Sequence, residues 1–143
     1  MFDKFIKNKN KENLDENNKN IMIAALLIHA AKMDENYTSK ERGIIERALI
    51  DFMQLSKNKI AEILDLAEKK EQESNQIVEF TKEIKKNDMQ FRLQIIELLW
   101  KIIYSDGIAD HYETNLIRRV CGLLYISEKD NGDIKLKVSK ELN

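Results

Sequence analysis

AALLIHAAKMDENYTSKER (24–42) and LWKIIYSDGIADHYETNLIRRVCGLLYIS (99–127) decide the fold of this chain. Each opens on residues that are apolar nearly all round a helix, from Ile21 to Ile28 and from Ile95 to Ile103, the mark of a helix buried on every side. Each then reaches an aspartate, crosses a short loop, and meets a glutamate that opens a run with one apolar face per 3.6 residues. Shifted by 72, Leu26-Leu27 falls on Leu98-Leu99, Asp34 on Asp106, Glu41 on Glu113, Ile45 on Ile117 and Arg47 on Arg119. With one residue removed, Leu55-Ser56 falls on Ile126-Ser127. The two-helix unit is duplicated, and two buried helices in corresponding places suggest pairing about a pseudo-twofold axis.

Working outward, the same period predicts helices over 20–33 and 39–54, then a third capped by Ser56 with the stripe Ile60, Ile63, Leu64, Ala67. EKKEQESN (68–75) reads as a midpoint linker. A fourth helix begins near Ser74 with Ile77, Phe80, Thr81 and Ile84, and Asp88 opens the fifth. The sixth covers about 111–125, burying Leu116, Ile117, Val120, Cys121, Leu123 and Leu124. Ser127 caps a seventh through Ile134, Leu136 and Val138, which Asn131-Gly132 threatens to break. The expectation is an all-α compact bundle of about seven helices: one domain over 19–143 with halves at about 20–70 and 74–140. Residues 1–18, MFDKFIKNKNKENLDENN, are too polar to bury much surface and read as a flexible leader. Within it, Phe2, Phe5 and Ile6 could dock on the domain or on a membrane surface.

Composition supports the class. There is no proline and there are four glycines in 143 residues, so little interrupts a helix. Apolar residues make up 43% and charged residues 34%, enough for a core and a solvated coat. With 24 basic and 25 acidic residues, the formal charge of −1 lacks the basic surplus that phosphate contacts demand, which argues against nucleic acid as a partner. A single cysteine, Cys121, forms no internal disulfide and suits the cytoplasm. The longest apolar stretch falls well short of the ~20 residues that span a bilayer, and it lies behind a polar leader, unlike a signal peptide.

The acidic loops are the candidate site. Thr38-x-x-Glu41 and Asp110-x-x-Glu113 match the capping box, which accounts for both glutamates without a ligand. Asp34 and Asp106 sit near helix C-termini, where the macrodipole makes a carboxylate mildly unfavourable unless a cation or donor compensates. Turn chemistry and cation binding both fit them. The candidate ligands are therefore Asp34, Glu41, Asp106, Asp110 and Glu113, and oxygen donors favour Ca²⁺, Mg²⁺ or Mn²⁺. Neither loop is an EF-hand: the first lacks glycine at position six, and Ile108 stands at position three of the second. Two histidines and one cysteine make no zinc cluster. His29 reads as a core histidine bonded to a neighbour. No phosphate loop and no nucleophile–base pair has a credible setting, so catalysis is not expected.

These two stretches resemble the TerB-like proteins associated with tellurite resistance, whose pattern is a buried helix, Asp-Gly, a short loop and a glutamate opening the next helix, twice over. The resemblance covers about residues 20–130. It implies a compact helical bundle, acidic patches proposed to engage metal ions, and a stress-response role near the membrane; separately, a protein partner, membrane-associated or not, is expected, and the rival reading is a protein-interaction adaptor with no metal site. Asp34 and Glu41 fall in its first motif, and Asp106, Gly107 and Glu113 in its second. Glu35 departs from it, standing where the family has glycine, so the first loop is expected to differ in shape.

Overall fold

The computed structural model describes residues 2–33, 37–74, 76–106 and 111–142, without the side chains of 2–14, 106, 111 and 112. The elements are α1 (Phe2–Lys32), α2 (Ser39–Met53), α3 (Lys57–Glu73), α4 (Ile77–Ile84), α5 (Met89–Ile103), a 3-10 turn (Tyr104–Asp106), α6 (His111–Leu123) and α7 (Glu128–Glu141). Among the described residues there are seven helices and no strand, the all-α class expected.

From Met22 to Ala31 every residue of α1 except His29 is buried, as an all-round apolar run requires. Around this axle pack α3 and α4, then α5 and α2. The second apolar helix, α5, packs also on α6 and α7. Trp100 lies in the core and donates its indole N–H to Asn131 Oδ1 of α7 at 2.9 Å, so its one polar atom is satisfied.

The caps follow the sequence. Ser56, Asp88 and Ser127 each stand before a helix, and their side chains accept from the backbone N–H of Lys59, Phe91 and Asp130. The turns before two of these serines are alike: Gln54 (φ 56°) and Tyr125 (φ 58°) are the non-glycine residues with left-handed backbones among those described. Ser39 and His111 start α2 and α6 at a spacing of 72, while Lys57 and Glu128 start α3 and α7 at a spacing of 71.

Three expectations need correction. α1 does not begin near residue 20 but runs back to Phe2. It contains no glycine or proline, and adding residues to an existing helix avoids the cost of nucleation. EKKEQE is not a linker, because α3 continues to Glu73. These residues are good helix formers, and α3 carries a buried residue, Glu71, as far as its last turn. Finally, Asn131-Gly132 does not break α7; the helix is anchored there by the bond from Trp100.

Candidate functional site

The five carboxylates proposed as cation ligands have different fates. Asp34 and Asp110 lie outside the described residues, as does Gly107, and Asp106 is described only as the backbone end of the 3-10 turn. Glu41 and Glu113 are described. Glu41 occupies the third position of α2 after the Thr38 N-cap. Its Oε2 accepts from the Thr38 backbone N–H at 3.3 Å and also from the Thr38 hydroxyl. That is the reaching-back arm of the capping box, formed as the motif requires. The hydroxyl bond is the main reason that the Glu41 carboxyl is held below the usual carboxylate range, so it is ionised across the neutral region. Glu113 is buried at 2% exposure. Among the described residues no three His, Cys, Asp or Glu side chains converge as metal ligands would.

The described side chains that do converge belong to α3. Asp65, Glu68 and Glu71 follow one another at spacings of three, which aligns them along one side of the helix. Glu71, only 8% exposed, takes one partner on each oxygen. His29 Nδ1 lies 3.1 Å from Oε1, and the Lys32 ammonium donates to Oε2 at 2.6 Å. One turn earlier, Glu68 Oε1 accepts from the Tyr37 hydroxyl at 2.7 Å and from Arg42 Nε at 2.6 Å. A further nitrogen of Arg42 donates to Asp65 at 2.7 Å. The α3 carboxylates therefore hold Lys32 on one side of the first acidic loop and Tyr37 and Arg42 on the other.

Electrostatics follow from this wiring. Burial alone would raise the Glu68 carboxyl, but the Tyr37 hydroxyl and the Arg42 guanidinium outweigh it and hold it below the usual range. The Tyr37 phenol moves the other way, raised by burial and by its bond to a carboxylate that resists a second negative charge. Arg42 is strengthened as a cation by the same carboxylate.

Sequence reasoning missed this network because it placed Glu68 and Glu71 in a linker. The available signal was their spacing from Leu64 and Ala67, which continues the inward stripe of the third helix. His29 is bonded to a neighbour as expected and tilted against the Phe80 ring at 6.2 Å, but it is half-buried at the edge of the core rather than within it. Cys121 is buried, and burial pushes its thiol up to about 12, so it is protonated and poorly nucleophilic at neutral pH.

Two buried apolar helices are each followed by a helix with a glutamate in its first turn, Glu41 in α2 and Glu113 in α6. The family model described as "Tellurite resistance protein TerB" matches residues 20–136. The chain belongs to the TerB family. The match starts at Asn20, the first buried residue of α1 among those described, and ends within α7, so it takes in every helix packed around the core. No curated protein and no solved structure matches the chain. No helix among the described residues is long and apolar enough to cross a membrane.

Proposed function

We propose that this TerB-family chain is a non-enzymatic, cytoplasmic binding module of a stress response associated with tellurite resistance, whose acidic loops take a hard divalent cation. The observation that carries the reading is the state of Glu41. Its carboxylate is ionised, partly exposed and held at the mouth of the first loop by Thr38. Both Thr38 bonds use Oε2, so coordination through Oε1 does not require the cap to break. In this reading Asp34 and Glu41 supply oxygens at the first loop. Asp106 and Asp110 supply them at the second, where buried Glu113 serves the helix start. A direct chemical role toward tellurium would call for an accessible thiolate, and Cys121 is a buried, protonated thiol.

A second reading, a protein-interaction adaptor without a metal site, draws support from Glu41 itself, since the capping bonds alone account for its position. Melting curves separate the two. Under the cation reading, Ca²⁺, Mg²⁺ or Mn²⁺ raises the melting temperature, because a ligand that binds only the native state stabilises it. Asp106→Asn removes most of that gain while leaving the ion-free protein as stable or slightly firmer. Indifference to millimolar divalent ions leaves the adaptor.

A further inference from the structure

The first turns of α1 carry a pattern of charge and apolar residues of their own. Lys4, Lys7 and Lys11 recur at spacings of three and four, which places them on one face of a helix. Phe2, Phe5 and Ile6 share the opposite face, with Lys9 on that side as well. The first eleven residues hold four lysines and one aspartate, a surplus of three positive charges in a chain of formal charge −1. The remaining residues are therefore acidic by four. This basic segment is continuous helix with the central axle of the bundle, running unbroken from Phe2 to Lys32. Asn20 is the first buried residue on that helix among those described, and at a rise of 1.5 Å per residue Phe5 lies about 22 Å ahead of it along the axis.

We infer that this segment is a membrane-surface anchor: an amphipathic helix that lies in the interface of an anionic bilayer, with its apolar residues in the headgroup boundary and its lysines against acidic lipid. Charge complementarity selects that occupant. Lysine opposite phenylalanine and isoleucine is the composition that interfacial helices use, and each basic residue near an anionic surface contributes about fivefold in partitioning. With few apolar residues the attachment is reversible. The inference is independent of cation binding by the loops.

Vesicle co-sedimentation of the full chain tests it. The expected result is pelleting with vesicles of phosphatidylcholine plus phosphatidylglycerol, little with phosphatidylcholine alone, and release by added salt. Lys4→Gln, Lys7→Gln and Lys11→Gln together lower partitioning by on the order of a hundredfold. Phe5→Ser with Ile6→Ser also abolishes pelleting, although the charge is unchanged. Both variants keep the parent's melting temperature, because the segment precedes the core. Equal pelleting on neutral and anionic vesicles, or full pelleting of the lysine variant, overturns the inference. So does a lowered melting temperature, which would mean that the segment packs on its own bundle. A vesicle-independent dimer that the lysine variant converts to monomer would equally overturn it, assigning the face to a second, acidic copy.

Discussion

The stretch joining α2 to α3 and the stretch joining α6 to α7 are built the same way, but the helices they introduce are held differently. Both turns use a left-handed residue, Gln54 or Tyr125, followed by an aliphatic residue and a capping serine. Beyond the serines the likeness stops. On α3, Asp65, Glu68 and Glu71 tie down Arg42, Tyr37, Lys32 and His29. At the same offset of 71 stand Leu136 and Ser139 on α7 and Leu142 just past its end, and the two leucines are 60% and 56% exposed. α7 is instead held by Val138 in the core, by Asn131 on the Trp100 indole, and by Lys137, which donates to Glu97 at 2.6 Å. Turn geometry is set by local chemistry and so recurs wherever the same few residues do. Fastening between helices is set by pairs far apart in sequence, and these differ between the two helices.

The largest effects lie where the halves should agree. Leu27 and Leu99 are both fully buried, one on each apolar helix. Leu27→Ala and Leu99→Ala should each cost about 2–5 kcal/mol in chemical denaturation, the range for deleting a buried leucine side chain. A loss under about 1 kcal/mol at either site would break the equivalence of the two apolar helices.

The next effect lies where the halves differ. Glu71→Ala strands a lysine and a histidine that are partly screened by water, so it should destabilise by about 1–3 kcal/mol, less than breaking a fully buried pair. Leu142→Ala, at the offset position just past the end of α7, should cost under about 0.5 kcal/mol. Equal losses at the two sites would mean that the network contributes nothing specific to α3.

A smaller effect concerns acid. The Glu68 carboxyl is depressed in the folded protein, so its contribution is complete above the unfolded value of about 4.3. It is lost as pH falls from there through the folded value. Glu68→Gln should therefore be less stable than the parent at neutral pH, with the gap closing below about pH 4. A gap that persists undiminished at low pH would assign the difference to packing rather than to charge.

The sequence carried the parts that depend on neighbours along the chain. Ser56, Asp88 and Ser127 were legible as caps because capping is a relation between residues three apart. Burial of Met22–Ile28 was legible because an all-round apolar helix has no exposed face to offer, whereas α5 buries its apolar residues from Ile95 to Ile103 but leaves Lys101 exposed and Glu97 half-buried. What the sequence did not carry was how far α1 and α3 extend. MFDKFIKNKNKENLDENN and EKKEQE are strongly polar, yet both lack helix breakers and each adjoins a helix already paid for in nucleation. Misplacing Glu71 hid the Lys32 and His29 contacts, since pairs separated by 39 and 42 residues leave no periodic trace. The candidate ligands were legible as residue types at a spacing. For Glu41 the capping bond expected from Thr38 is present, whereas Asp34 and Asp110 lie outside the described residues.

Amide shifts during titration with Ca²⁺, Mg²⁺ and Mn²⁺, the last read as paramagnetic broadening, test the central proposal most directly. The account predicts saturable changes confined to residues 34–41 and 106–113, weaker at the first loop, where Glu35 stands at the position that Gly107 holds in the second, and lost from the second in Asp106→Asn. Spectra unchanged at millimolar ion in both loops would contradict it.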